Sequence, residues 1–254
     1  MKKKVLFACD LDNTLLVSYR CRQDGDICVE TIQDKKQSFM TVRAIELLRQ
    51  VIRKVDFVPV TTRSLEQYRR IRWPEGCEPE LAVTTNGAAL MREGSVDVEW
   101  GNQVRETVVE VWSDDINSLY EKHSLSKNLR HCRIVDDSYL FLCCDNGTEA
   151  AAYADICRRQ SRLEVENVGR KIYMFPPGLK KGAALVRLKK ILGSNYACAA
   201  GDSSVDISML EQADMGFAEN SLKGKVGANC LLQPQGSMFS EWFLCELLKL
   251  LREE

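Results

Sequence analysis

The sequence lacks a long hydrophobic run and an excess of charge of either sign. Its first apolar stretch, Val5–Cys9, stops at Asp10. It is too short for the core of a signal peptide and far from the about 18 apolar residues that cross a membrane. Lys and Arg number 35 against 36 Asp and Glu, so the net charge is −1 and no overall field favours nucleic acid. These absences predict a soluble cytoplasmic protein, a monomer or homodimer, with neither a nucleic-acid nor a membrane partner.

The sequence also lacks Cys-x-x-Cys pairs, although it is rich in cysteine. The 11 cysteines are an odd number and are spread through segments that we expect to be core strands and helices. At this chain length they favour buried reduced thiols over a disulfide scaffold. Zinc is an open alternative, because several possible ligands lie near one another without the usual ligand spacing. These residues are His123, His131, Cys132, Cys143 and Cys144.

What is present is an alternation of short apolar runs with helical patterns, in a chain of 254 residues that is long enough for two domains. Val5–Cys9 is a predicted buried strand. Two helices, over 41–54 and 64–72, and two further strands, over 55–60 and 81–84, follow it. This order is typical of a parallel α/β sheet with right-handed crossovers.

The middle of the chain has a different pattern. Three hairpins are predicted over 88–100, 130–144 and 163–175, with helices between them, which indicates an antiparallel sheet with helices on one face. After Pro176-Pro177-Gly178 the first pattern returns. We therefore predict an α/β fold whose Rossmann-like parallel core, 1–87 and 177–254, carries an inserted α+β cap domain, 88–176.

Polar side chains follow the predicted parallel strands at the points where those strands end. Asp10 and Asp12 come directly after the first strand, and a late strand is followed by two more acids. Ligands of open parallel sheets bind at the carboxyl ends of strands, so we expect these residues to share one crevice. The full set is Asp10, Asp12, Thr61, Thr62, Arg63, Lys181, Asp202 and Asp206.

Four carboxylates in one crevice require a cation. At roughly 5 Å and an effective dielectric constant of about 20, each ionised pair repels by about 3 kcal/mol. A ligand set made only of oxygen favours Mg²⁺ over zinc or copper. Magnesium beside Lys181 and the hydroxyl-bearing segment Thr61-Thr62-Arg63 is typical of phosphoryl transfer.

These motifs, in this order, resemble those of the haloacid dehalogenase superfamily of phosphohydrolases. The resemblance is to members with a large type-B cap inserted after the third strand, such as the Cof-type sugar phosphatases, and it covers essentially the whole chain. The segments that carry it are Asp10-Leu11-Asp12-Asn13-Thr14, Thr61, Thr85-Asn86-Gly87-Ala88-Ala89, Lys181-Gly182-Ala183-Ala184-Leu185, and Gly201-Asp202 with Asp206.

The resemblance implies a role for each matching residue. Asp10 is the expected nucleophile, Asp12 the general acid/base, and Thr61 and Lys181 the groups that stabilise the phosphoryl oxygens. The expected magnesium ligands are Asp10, Asp12 (through its main-chain carbonyl), Asp202 and Asp206. Thr62, Arg63 and Asn86 are expected to contact the rest of the substrate.

The implied activity is that of a Mg²⁺-dependent phosphoric monoester hydrolase. Its substrate is expected to be a small phosphorylated metabolite, a sugar phosphate above all, and its intermediate an aspartyl-phosphate. A phosphomutase of the phosphomannomutase type is the alternative, and a non-catalytic binding protein is a third reading.

Several residue assignments stay open. Lys180 competes with Lys181 for the lysine role, although the Gly-Ala-Ala-Leu that follows favours Lys181. A salt bridge and a turn are the structural alternatives for Arg63 and Asn86. Many relatives have Gly where Thr62 stands, and Asn where Val205 stands.

Overall fold

The computed structural model describes residues 4–252. Its first part runs through six strands and two helices: β1 (Val5–Cys9), β2 (Val17–Ser18), β3 (Ile27–Ile32), β4 (Lys35–Met40), α1 (Val42–Ile52), β5 (Asp56–Pro59), α2 (Leu65–Arg69) and β6 (Leu81–Thr84). Both helices start where a hydroxyl caps them. Thr41 accepts a hydrogen bond from the Ala44 N–H, and Ser64 forms a reciprocal capping box with Gln67.

The remaining elements form the middle and the end of the chain. The middle contains β7 (Ala89–Arg92), β8 (Ser95–Val96), α3 (Val98–Val104), α4 (Ser113–Ser124), β9 (His131–Val135), β10 (Tyr139–Cys143), α5 (Gly147–Gln160), β11 (Glu164–Val168) and β12 (Lys171–Phe175). The end contains α6 (Lys181–Leu192), β13 (Tyr196–Gly201), α7 (Ile207–Gln212), β14 (Met215–Ala218), β15 (Cys230–Leu232) and α8 (Phe239–Leu250). No helix within residues 4–252 is both long enough and apolar enough to cross a membrane.

The core is a parallel five-stranded sheet in the order β15-β14-β13-β1-β5, as the alternation of strands and helices predicts. Every residue of β1 is buried, because helices cover both faces of the sheet. The carboxyl ends of β1 and β13 are direct neighbours, since Cys9 pairs with Ala200. The segments that follow these two strands therefore start side by side.

A three-stranded antiparallel sheet, in the order β2-β4-β3, lies between β1 and α1 and was not predicted. Its strands mix apolar and polar side chains about equally, and their buried and exposed positions do not alternate. The alternation in 17–40 is therefore too weak to identify strands. This sheet supplies Glu30 and Ser38, two buried polar residues that reach the site.

The cap sheet is antiparallel, in the order β11-β12-β10-β9, and its helices α4 and α5 pack on one face, as predicted. Its other face turns Tyr139 and Tyr173 toward core residues such as Val205.

The first of the three predicted hairpins pairs elsewhere. β7 joins β6 rather than the cap sheet, and the predicted second strand ends early. From Val98 the chain is helical, because the Asp97 side chain caps α3 by accepting from the Trp100 N–H. Strand propensity at Val98 and Trp100 is overridden by that cap.

Candidate functional site

Three carboxylates meet at the carboxyl end of the parallel sheet. Asp10 follows β1, and its N–H donates to the Ala200 carbonyl of β13 at 3.0 Å. That bond sets Asp10 beside the turn that carries Asp202 and Asp206. One carboxylate oxygen of each of the three residues lies within 4.8 Å of the others. The structure thus brings together three of the four acids that were predicted from separate strand ends.

Lys181, the first residue of α6, lies buried between two of these acids. Its Nζ is 2.5 Å from Asp10 Oδ1 and 2.6 Å from Asp206 Oδ1, and the side chain is 2% exposed. Lys180 points elsewhere and pairs with Glu164 at 2.9 Å on the protein surface. The structure therefore places Lys181, and not its rival, next to Asp10.

The crowding of negative charge changes the acidity of the cluster. Burial raises the pKa of Asp202 to about 9, and the neighbouring Asp10 and Asp206 add to the rise. Burial also raises the pKa of Asp10 to about 6, although Lys181 pulls it downward. Both shifts measure how unfavourable the ionised cluster is without a further positive charge. An all-oxygen donor set under this repulsion fits a hard divalent cation such as Mg²⁺.

Thr14 links two of the three acids of the cluster, Asp10 and Asp202. Its hydroxyl lies 2.8 Å from Asp202 Oδ1 and 3.4 Å from Asp10 Oδ2. Sequence reasoning included Thr14 in the first motif but assigned it no role. Its position five residues from the end of β1, in the same tight turn as Asp10, was the signal available.

Asp206 accepts four hydrogen bonds, more than either Asp10 or Asp202. Oδ1 accepts from Lys181, and Oδ2 accepts from the N–H groups of Asp202 and Ser203 and from the Ser203 hydroxyl. The residue is completely buried. In this arrangement Asp206 shapes the turn and orients Lys181.

Gly201 gives that turn its close packing. A Cβ at this position would lie 2.3 Å from Asp206 Cβ, which is closer than such atoms approach. We expect Gly201→Ala to lower the free energy of unfolding by about 1–3 kcal/mol, because Asp206 has no room to withdraw. Urea unfolding measures the change.

Gly101 provides the matched control for this prediction. It lies in α3, and a Cβ there would meet nothing within 4 Å. Gly101→Ala should stabilise the protein by about 0.5–1 kcal/mol through helix propensity. A Gly201→Ala protein as stable as the parent would contradict the packing argument.

Asp12 is held by a buried arginine. Arg63 Nε and Nη2 donate to the two Asp12 oxygens at 2.9 and 2.7 Å, forming a bidentate pair. Arg63 Nη1 also pairs with the buried Glu30 at 3.0 Å, and Ser38 donates to Glu30 at 2.7 Å. Arg63 was predicted to contact the substrate, with a salt bridge as its alternative, and in this structure it makes two salt bridges.

The Arg63 pair decides the ionisation of Asp12. Desolvation would raise the pKa of Asp12, but the Arg63 guanidinium outweighs it and holds the pKa well below the ordinary carboxyl range. Glu30 and Ser38 were missed by sequence reasoning. No periodicity or motif marks them, because their place depends on how the β2-β4-β3 sheet docks on the core.

The threonine segment after β5 is tied to the crossing into the middle of the chain. Thr85 and Asn86 have positive φ angles of 54° and 56°, and their N–H groups donate to the carbonyls of Arg63 and Thr61 at 2.8 and 3.0 Å. Thr61 itself is completely buried, and its hydroxyl accepts from the Arg63 N–H at 3.2 Å. Of Thr61 and Thr62, only Thr62 lines the small cavity next to Asp10.

Asn86 has a structural contact in place of the predicted one. Its side-chain amide donates to the Leu179 carbonyl at 2.8 Å and so joins the two crossings between core and cap. Two cavities at the site have Asp12 in their walls, and Asn86 lines neither of them. Its predicted contact with the substrate finds no support in this geometry.

Two neighbouring cavities lie at the site. The smaller, about 40 Å³, is lined by Asp10, Lys181 and Asp202 among others, and the larger, about 440 Å³, lies between the core and the cap sheet. Five residues line both: Asp12, Asn13, Thr62, Lys171 and Tyr173. The Tyr139 hydroxyl of the cap donates to the Thr62 carbonyl at 2.6 Å. The cap therefore contacts the core at Thr62, the position where many relatives have Gly. The space has the size of small-molecule sites, about 300–1,000 Å³.

The zinc alternative gains no geometric support. Within residues 4–252, the cluster of Asp10, Asp202 and Asp206 is the one group of three or more acids, cysteines or histidines close enough to hold a metal ion. Cysteines throughout that part of the chain are free thiols, as expected, and most are buried or half-buried.

Solved structures share this architecture over nearly the whole chain. Sucrose-phosphatase from Synechocystis, solved with sucrose and phosphate, has a TM-score of 0.67 at 16% identity, over 99% of both chains. A haloacid dehalogenase-like hydrolase from B. subtilis has a TM-score of 0.62 at 17% identity, over 96% of this chain and 99% of that one. Trehalose-6-phosphate phosphatase from Aspergillus fumigatus has a TM-score of 0.52 at 12% identity, over 99% and 94%.

No protein-family model matches the sequence, and no curated protein matches it significantly. The likeness therefore rests on three-dimensional structure, in which the core sheet and the cap are found together. The chain has the fold of the haloacid dehalogenase-like hydrolases, as the order of its motifs predicts.

Proposed function

We propose that this protein is a Mg²⁺-dependent phosphatase that hydrolyses a small phosphorylated metabolite, a phosphorylated sugar or sugar derivative above all. The observation that carries the proposal is the cluster of Asp10, Asp202 and Asp206 around Lys181, at the mouth of a cavity. The fold that this chain shares with two sugar-phosphate phosphatases adds support.

Asp10 is the proposed nucleophile. One of its carboxylate oxygens attacks phosphorus, the bond from phosphorus to the leaving oxygen breaks, and an aspartyl-phosphate forms. Water then attacks the same phosphorus, which releases inorganic phosphate and regenerates Asp10. Lys181 neutralises charge on the phosphoryl oxygens, and the hydroxyl-bearing segment of Thr61 and Thr62 completes their cradle.

The donor set of the cluster fits magnesium. Asp10 and Asp202 line the smaller cavity, and their carboxylates are the first two proposed ligands. The Asp12 main-chain carbonyl is the third, and the buried Asp206 completes the cluster. When bound, Mg²⁺ would offset the repulsion between the carboxylates and the phosphate.

Asp12 is the proposed acid/base, and its partner sets a condition on that role. In the ionised form that Arg63 favours, Asp12 can take a proton from water and so assist the second step. In the first step it must carry a proton for the leaving oxygen, which requires that one of the two Arg63 hydrogen bonds be released. The Glu30 pair holds Arg63 in place while that happens.

The cap sheet is proposed to contact the leaving group and exclude water. It forms one wall of the 440 Å³ cavity, and the core forms the other. The division into a core of 1–87 and 177–254 and a cap of 88–176 stays a prediction. The β7–β8 hairpin falls within 88–176 by number, but its strand β7 pairs with β6 of the core segment.

A phosphate-release panel tests the function. Sugar phosphates, polyol phosphates, nucleotides and an aryl phosphate are incubated with the protein, with and without Mg²⁺. We expect Mg²⁺-dependent release from at least the aryl ester and one sugar phosphate. A phosphomutase would instead transfer the phosphoryl group to a sugar, would need a bisphosphate activator, and would release no inorganic phosphate. Binding without turnover would favour a non-catalytic protein.

A further inference from the structure

The larger cavity carries a concentration of positive charge that the rest of the chain does not share. Six cationic side chains line it, against two acidic ones: Arg20, Arg63, Arg70, Arg133, Arg170 and Lys171, against Asp12 and Glu30. The whole chain has a net charge of −1. The excess is therefore local to the space beside the proposed phosphate site.

Both acidic side chains already form ion pairs with two of the arginines. Arg63 pairs with both Asp12 and Glu30, and Arg70 pairs with Glu30 at 3.1 Å. The other four cations, Arg20, Arg133, Arg170 and Lys171, make no ion pair with any acid in residues 4–252. Cations gathered around one cavity repel one another and favour an anion between them.

Three of these four cations, Arg133, Arg170 and Lys171, belong to the cap sheet or to its β11–β12 turn. Arg133, Phe141 and Tyr173 stand opposite one another on β9, β10 and β12, and so lie on one face of the sheet. The Arg133 guanidinium lies over the Phe141 ring, 5.2 Å from its centre, which fixes it by cation–π attraction. Lys171 lies on the same face, two residues before Tyr173, and Arg170 precedes it in the turn.

Lys171 connects this region to the reaction centre. It lines both cavities, and the charges of Asp12 and Asp10 help to raise its pKa, after the effect of the adjacent Tyr173. A substrate with its phosphoryl group at Asp10 would extend past Lys171 toward Arg133 and Arg170.

We infer that the leaving group of the substrate carries a second anionic group, a carboxylate or a phosphate, which the cap cations Arg133, Arg170 and Lys171 bind. This inference rests on the proposed phosphatase function and narrows its substrate class. Guanidinium groups form paired hydrogen bonds with both kinds of anion, so either source satisfies the same residues.

Matched substrate pairs test the inference by phosphate release in Mg²⁺. Glycerol 3-phosphate is compared with 3-phosphoglycerate, and sorbitol 6-phosphate with 6-phosphogluconate. All four are open chains, and each pair differs only by a hydroxymethyl group in place of a carboxylate. Fructose 6-phosphate is compared with fructose 1,6-bisphosphate, which isolates a phosphate. We expect the anionic member of at least one pair to have a kcat/KM at least about tenfold higher, in line with hydrogen bonds to charged groups. Which pair responds identifies the source of the anion.

Two arginine variants and a control locate the effect. Arg133→Gln and Arg170→Gln should each lower the preference for the anionic member by about fivefold or more. Arg158→Gln makes the same change on α5, where Arg158 is exposed and pairs with Asp155, and should leave the preference as it is.

The outcomes separate this inference from the function on which it rests. The inference would be overturned if the neutral and anionic members of each pair were hydrolysed equally well, or if the preference survived both arginine variants. Either result would leave the proposed phosphatase function standing. Release from none of the esters, the aryl phosphate included, would overturn both.

Discussion

Asp10→Asn is expected to lower phosphate release by at least about a thousandfold while the protein stays folded. The amide has nearly the same shape as the carboxylate but lacks the charged oxygen that attacks phosphorus. Removing one charge also relieves the repulsion with Asp202, so we expect no loss of stability from that source. Turnover of the purified variant at saturating Mg²⁺ measures the effect.

Asp155→Asn is the control for this change. Asp155 is exposed on α5 and pairs only with Arg158 among the ion pairs of residues 4–252, so its loss should leave turnover within about twofold. Circular dichroism and the urea midpoint show whether both variants fold. A folded Asp10→Asn protein with near-normal turnover would mean that the nucleophile is a different residue.

Removal of divalent cations is expected to abolish turnover, and Mg²⁺ to restore it. The physical reason is the repulsion among Asp10, Asp202 and Asp206, which a single Lys181 offsets only in part. Hard oxygen ligands at this spacing fit Mg²⁺. Phosphate release after EDTA treatment, with each cation added back separately, measures the requirement.

A second readout makes the metal prediction independent of activity. Ligand binding to the folded state raises the midpoint of thermal unfolding. Mg²⁺ should therefore raise the midpoint of the parent protein and have a smaller effect on Asp202→Asn. Asp214→Asn should respond as the parent does, because the Asp214 carboxylate accepts from the Ala197 N–H at the start of β13, whereas the cluster follows the end of that strand. Recovery of activity with Zn²⁺ but not with Mg²⁺ would contradict the oxygen-ligand site.

Local patterns predicted most of the core. Strand β6 has the predicted bounds, and helix α6 ends at Gly193 in the left-handed conformation that glycine adopts readily. Hairpins β9–β10 and β11–β12 were also predicted, because Asp136, Asp137 and Gly169 mark their turns. Polar residues after β1 and β13 predicted the acidic cluster, since parallel strands that are neighbours end at the same edge.

By itself, then, the sequence determined the α/β core, the inserted antiparallel sheet and the acids that meet at Asp10. Only the tertiary structure decided that Asp12 is held by Arg63 and Glu30, and that Arg133 faces the cavity. It also placed Lys181, which the sequence already favoured over Lys180, beside Asp10. The physical reason is range. Periodicity, caps and strand ends act over a few residues, whereas ion pairs and a cavity wall between distant segments exist only once the sheets have docked.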